Sequence, residues 1–334
     1  MTLRTAPLWD WVNERHAIYV RKEIRAGADP ADLHVPKGAD LEECDPSHLA
    51  AQEDGPLTND LVMRQYRFCN VFRELDRVTR FVDAEIRKPF ALNNNLWFML
   101  AAARYINWPP TLRFLMNHID EKTGQSAWPE SGHAQFNPRN MGNALDLWKS
   151  QGNKVYTGAY MIRAESNPNA DWYCWSKQQY VAQIVLGRLW QDRDCIRRCF
   201  EAEQSTLKGA WAAFQSKRYV GWGPFMAYQV VADLRHTRYL QNATDINTWA
   251  ALGPGSKRGL NRLAGRPLSY NLNQEEGLDE MRSIWAEQDA HRAPWVPPIE
   301  LGDIQNSLCE VDKLLRVRSN EGRPRARYVP GRGW

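Results

Sequence analysis

Residues 219–236 read YVGWGPFMAYQVVADLRH, and this stretch decides the fold class. Gly221 and Gly223 permit a tight turn. Pro224 then stands where a helix begins, a position at which its missing N–H costs nothing. The same grammar returns at Leu252-Gly253-Pro254-Gly255-Ser256-Lys257-Arg258. Working outward, Phe68, Phe72, Leu75, Val78 and Val82 recur at spacings of three and four, which predicts one helix over 61–88. Further helices are expected over Leu92–Ile106, Trp175–Phe200, Glu201–Phe214, Pro224–His236, Gln274–Arg292 and Leu301–Arg318. No run of alternating β-branched residues demands a sheet, so the expectation is an all-α chain. Residues 1–55, a short helical start and a Pro- and acid-bearing stretch, read as an N-terminal extension. Residues 56–293 read as the helical core with both glycine turns. Residues 294–334, opening with PWVPP at 294–298, read as a C-terminal helix and basic tail packing on that core. The Gly-, Asn- and Pro-rich segment 124–143 reads as a long loop, a kind often functional.

Composition narrows the function classes. The 334 residues are 43% hydrophobic and 25% charged, which excludes general disorder. No apolar run reaches membrane-spanning length, and the start, MTLRTAPLWDWVNERH, lacks the apolar segment of a signal peptide. No membrane partner is therefore expected. The six cysteines form no CxxC pair; Cys195 and Cys199 lie one helical turn apart without a second pair, so a reduced chain without a metal site is expected. The net charge is +4, but Lys313–Trp334 carries seven basic residues against Glu321 alone. A polyanion would meet a local patch rather than a basic body. The phosphate-loop pattern GxxxxGK[ST] is absent from the sequence, which disfavours a kinase.

The glycine turns supply the first candidate chemistry. The amides that open a helix attract phosphate through unpaired N–H groups and the helix dipole. Gly221 and Gly223, with Gly253, Gly255, Ser256, Lys257 and Arg258, thus have the form of helix-hairpin-helix elements that grip a nucleic-acid backbone without reading bases. Asn70, Arg73, Arg77 and Arg80 are spaced three, four and three apart, so on one helix they would share a face. If that face lines a cleft it suits phosphate or pyrophosphate; pairing with Glu74 and Asp76 would make it a solvated surface instead. Asp233 follows the first turn, and Asp245 lies 22 residues beyond Gly223, as a catalytic acid or as a helix N-cap. Asp303, Asn306 and Glu310 fall on one face of the last helix, as site residues or as caps and surface pairs.

Four blocks carry a family resemblance: YRFCNVFRELDRVTR (66–80), GWGPFMAYQVVADLR (221–235), DINTWAALGPGSKRGLNRLAG (245–265), and DIQNSLCEVDK (303–313) with EGRPRARY (321–328). Over roughly residues 56–330 the chain resembles the α-glutamyl/putrescinyl thymine pyrophosphorylase group, whose relatives include the helical domain of phage 5-hydroxymethyluracil DNA kinases. The resemblance implies a glycosylase-like helical fold and a transferase of phage DNA hypermodification, working in the cytoplasm of the infected host. Its substrate would be double-stranded DNA carrying pyrophosphorylated 5-hydroxymethyluracil, whose pyrophosphate is replaced by an amine. The amine favoured is a free amino acid such as glycine; putrescine or another polyamine is the alternative.

Such a reaction needs an extruded base, cations for the departing pyrophosphate and a carboxylate to deprotonate the incoming ammonium. Arg67, Arg73 and Arg77 with Asn70 are the pyrophosphate candidates, and Lys257 and Arg258 the second choice. Asp245 is the first candidate base and Asp233 the second. Tyr160, Arg163, Asp303, Asn306 and Glu310 are candidates for holding substrate, with Arg139 another cation for a carboxylate. No cofactor is required by the sequence; Mg2+ would suit pyrophosphate. A base-excising glycosylase of the helix-hairpin-helix class is the competing enzyme reading, although Phe225 stands where the lyase-competent members carry a lysine. A non-catalytic DNA-binding protein is the third.

Overall fold

A computed structural model describes residues 3–41, 44, 55–129, 135–202, 205–322, 324 and 327–328. In chain order the helices are α1 (Ala6–Arg25), α2 (Leu61–Gln65), α3 (Arg77–Val82), α4 (Leu96–Ile106), α5 (Pro109–Asn117) and α6 (Pro138–Ser150). Then α7 (Lys177–Gln179) runs through a π-helical stretch, Tyr180–Leu186, into α8 (Gly187–Gln191), followed by α9 (Arg193–Glu201), α10 (Leu207–Ala213) and α11 (Pro224–Leu234). The chain closes with α12 (Pro254–Leu263), α13 (Gln274–Ala286), α14 (Gln288–His291) and α15 (Leu301–Arg318). Among the described residues there are isolated β-bridges but no strand, so the protein is all-α. No described helix is long and apolar enough to cross a membrane.

Local chemistry explains most helix starts. Proline occupies the opening turn of α5, α6, α11 and α12, where its fixed φ suits the helix. Asp60 accepts from the amides of Val62 and Met63, and Asn273 forms a reciprocal capping box with Glu276. The last helix spans Leu301–Arg318 as its periodicity requires, burying Leu301, Ile304, Leu308, Val311 and Leu314.

Two compact units divide the chain: described residues up to Asp76 together with those from Ile246 onward, and Arg77–Asp245. The sequence boundaries near 55 and 293 both fall inside the first unit. Helix α1, read from sequence as a short start, has 20 residues and buries Leu8, Trp9, Trp11 and Val12. Trp295 of the PWVPP segment packs against the cluster of Ala17, Tyr19, Val20, Leu33 and Cys44, and Val296 is fully buried.

The single helix expected over 61–88 is a correction. Helix α2 ends at Gln65, and Tyr66 is extended (φ −117°, ψ 149°), forming an antiparallel bridge with Arg327. A 3-10 turn, Arg73–Leu75, follows, and α3 begins only at Arg77. Asn70, Arg73, Arg77 and Arg80 therefore do not share a helix face. The periodicity is real, but side chains from elsewhere satisfy the loop's backbone and outcompete the helical ladder. Of the basic tail, Arg323, Arg325 and Arg332 lie outside the described residues, as do 130–134 of the segment read as a loop.

In the first unit, α12 and α15 meet through glycines. A Cβ on Gly255 would sit 2.8 Å from the Cys309 sulfur, and one on Gly259 2.3 Å from the carbonyl oxygen of Leu308. Gly259→Ala is therefore expected to force these helices apart. A loss of about 1–3 kcal/mol in urea unfolding is the expected result, and an unchanged midpoint would contradict this packing.

His16 is buried, and its Nε2 donates to the His34 carbonyl at 2.8 Å. Burial, with His34 and Arg15 adding to it, pulls its pKa down to about 3. The folded state then binds fewer protons than the unfolded one between pH 3 and 6.5, so stability from this group falls on acidification. The wild type is expected to lose about 1.4 kcal/mol per pH unit below about 6.5 relative to His16→Gln, measured by denaturant titration at each pH. Parallel slopes for the two proteins would refute the assignment.

Candidate active site at the 67–76 loop

The non-helical stretch after Tyr66 is fastened to α15, which runs beside it in the first unit. Glu310 accepts from the Cys69 amide at 2.9 Å through Oε2, which also meets Lys313 Nζ at 2.6 Å. Lys313 donates to the Arg67 carbonyl at 3.0 Å, and its ammonium stands 4.7 Å from the centre of the Phe68 ring. Asn306 donates to the Asn70 carbonyl at 3.2 Å. From the other side Arg15 of α1 donates to the Cys69 carbonyl at 2.9 Å. Asp76 closes the loop internally, accepting from both the amide and the side chain of Asn70 at 2.8 and 3.1 Å. Two groups expected separately, the 67–73 residues and the 303–306–310 face, thus come together.

Electrostatics single out one carboxyl. Asp303 is half-buried at the third position of α15, accepting from the Glu300 amide at 3.2 Å. Burial, then the Glu300 carboxylate, pushes its pKa up to about 7; Glu74 adds to the rise and Arg73 opposes it. Burial also raises Asp76 and, more strongly, the Cys69 thiol. A carboxyl titrating near neutrality can accept a proton and later release it. Arg73 is half-buried and its charge acts on that carboxyl, whereas Arg67 is exposed where Lys313 meets the loop, ten residues farther along α15. Sequence reading missed Arg15, Lys313 and Glu300. Glu300 was findable, since Glu-x-x-Asp before an apolar helix is a capping-box pattern; Arg15 left no local signal, being 54 residues from its partner.

The second glycine turn in the same unit serves packing. Gly253 caps α12, and Ser256 bonds back to both its amide (2.9 Å) and its carbonyl (3.0 Å). Gly255 faces Cys309. Arg258 pairs with the buried Asp312 at 3.3 Å and Arg262 does so at 2.7 Å, while half-buried Lys257 reaches Asn271. Arg258 is thus partly neutralised before any phosphate arrives.

The second unit holds the first glycine turn. Gly221 has φ +84°, a conformation that favours glycine, and a Cβ there would lie 2.8 Å from the Tyr105 hydroxyl. Gly223 caps α11 with open space about it, and Phe225 beyond is 44% exposed. Tyr160 lies against this helix, donating to Gln229 at 3.3 Å with its ring 5.5 Å from that of Phe225. Arg163 and Arg139 are exposed, and Arg77 is exposed at the start of α3.

Both acids expected to serve as the base are engaged. Asp233 is buried, and its two oxygens accept from Arg104, which also donates to Thr79 at 2.9 Å. It cannot take a substrate proton without breaking that pair. Asp245 accepts from the amides of Leu207 (2.7 Å) and Lys208 (3.0 Å), capping α10. That is the capping role, though for a helix distant in sequence rather than its own.

A family model described as "5-hmdU DNA kinase, helical domain" matches residues 46–323. No curated protein and no solved structure matches the chain.

The Arg104–Asp233 geometry generates a prediction. Asp233→Asn leaves a buried guanidinium without its counter-charge and should cost about 3–5 kcal/mol of stability, read as a lowered thermal midpoint. A variant that unfolds like wild type yet loses all activity would instead assign Asp233 to chemistry.

Proposed function

The chain belongs to the family of the 5-hmdU DNA kinase helical domain, and from that premise we propose that it modifies thymine-derived bases in DNA as a transferase. It replaces the pyrophosphate of 5-pyrophosphomethyl-deoxyuridine with an amine, an amino acid such as glycine in first place, in the cytoplasm of a phage-infected host. A bond forms between the amine nitrogen and the exocyclic methylene carbon, the bond from that carbon to the pyrophosphate oxygen breaks, and one proton leaves the ammonium.

Asp303 carries this reading. Its pKa near 7 lets it receive the ammonium proton at the pH of a cell. Arg73 and Arg67 supply positive charge where the diphosphate departs, a task worth more in a partly dry site than in water. Asn306 and Glu310 act on the backbone of the 67–76 loop and so position Arg67 and Arg73. With both oxygens of Asp233 on Arg104 and both of Asp245 on the α10 amides, neither is retained as base. The glycine turns of α11 and α12 remain candidates for helix-hairpin-helix contacts to DNA phosphates, α11 the stronger because Gly223 faces open space.

The test is to incubate the protein with pyrophosphorylated 5-hydroxymethyluracil DNA and a panel of amines, then identify nucleosides by mass. One amine is expected to add with release of one pyrophosphate. Asp303→Asn should remove a rise in rate centred near pH 7, and Arg73→Gln should lower kcat about 10²-fold or more. Release of free base, or no mass shift with any amine, would end the transferase reading.

A further inference from the structure

Helix α9 in the second unit carries Cys195 and Cys199, both exposed and one helical turn apart, so they share a face. We propose that these two thiols hold one soft monovalent cation, Cu(I), between their sulfurs. The site stands on its own geometry and does not rest on the transferase reading.

The inward stripe of α9 is Ile196 and Phe200, both buried, and the cysteine preceding each stays at the surface. Neither thiol is spent on packing. Helical side chains tilt toward the N-terminus, and Cys199 does so: its Sγ donates to the Cys195 carbonyl at 3.5 Å. A thiol is a weak donor, so a metal–sulfur bond readily displaces that contact. Helical β-carbons one turn apart are separated by about 5–6 Å. A disulfide wants about 3.5–4.5 Å, so direct oxidation of the pair would require α9 to unwind. An interposed ion adds two bonds of about 2.3 Å each, which spans the gap without moving the backbone.

Ligand number selects the ion. A structural zinc takes four ligands, and no cluster of three His, Cys, Asp or Glu residues exists among the described residues. The sequence expectation of no metal site followed from the missing second cysteine pair, which a two-coordinate ion does not need. Thiolates are soft ligands that select Cu(I), an ion satisfied by two of them. Binding expels both thiol protons, so two thiolates and one univalent cation leave one net negative charge. Arg198, exposed on this face three residues beyond Cys195, offsets it. The neighbouring carboxylates are already compensated. Asp192 pairs with Arg218 at 3.1 Å and accepts from the Tyr219 hydroxyl, while Asp194 and Glu201 lie 3.3 and 3.4 Å from Arg197.

Anaerobic titration of the reduced full chain with Cu(I), in competition with a chromogenic Cu(I) chelator, tests this, and Ag(I) serves as a redox-inert second probe. One ion per monomer is expected. Because two protons leave, affinity should rise up to about hundredfold per pH unit while both ligands start as thiols. Cys195→Ser and Cys199→Ser should each weaken binding about hundredfold or more and reduce the pH dependence to about tenfold per unit or less. Cys174, also exposed, is the control, and Cys174→Ser should change neither quantity. All three positions lie at the surface, so the serine variants should keep the wild-type thermal midpoint without metal. Undiminished affinity in either α9 variant, loss of the site in Cys174→Ser, a metal-linked dimer, or equally tight binding of Zn2+ would overturn the assignment. The transferase assay is read separately, since no residue proposed for that chemistry lies on α9.

Discussion

A backbone amide held outside a helix must find an acceptor, and Glu310 supplies one to Cys69 at 2.9 Å. A charge-assisted bond of this kind contributes about 1.5–3 kcal/mol, and here it is one of a set. Lys313, Asn306 and Arg15 take the carbonyls of Arg67, Asn70 and Cys69. Together they hold an irregular segment against the longest helix of the first unit's C-terminal part. A loop carrying two arginines would otherwise be mobile, and mobile cations are poor at meeting charge that develops at one place. The proposed chemistry depends on that fastening.

The charged residues divide into those spent on structure and those left for ligands. Asp233 with Arg104, and Asp312 with Arg262, are hydrogen-bonded ion pairs with both carboxylates buried, and Arg258 adds its charge to Asp312. Asp245 is spent on two helix amides. Asp303 differs: one neighbouring amide and Arg73 do not offset burial and the Glu300 and Glu74 carboxylates, and its affinity for protons rises. Chemistry is proposed where the electrostatic compensation is incomplete.

The glycines show how one residue type serves opposite purposes. Gly221 answers a backbone need, φ +84° against the Tyr105 hydroxyl, whereas Gly255 and Gly259 answer a packing need, the approach of α12 to α15. Both turns look alike in sequence because each is Gly-x-Gly or Gly-Pro-Gly before a helix. Only the neighbouring helix distinguishes them.

The sequence by itself determined the helical class and the starts of α2, α11, α12, α13 and α15, because proline positions, caps and three-and-four spacing act within a few residues of where they are written. The last helix shows this most fully: Leu301 to Arg318 was readable to both ends. It also exposed the family through ordered blocks, and it named Asn70, Arg73, Asp303, Asn306 and Glu310 without showing that they meet. Tertiary structure alone decided that the 61–88 periodicity is broken and that Asp233 and Asp245 are occupied. The partners responsible, Glu310, Arg104 and the α10 amides, lie tens to hundreds of residues away. Hydrogen bonds and ion pairs depend on distance in space, and local sequence carries no record of that distance until the chain has folded.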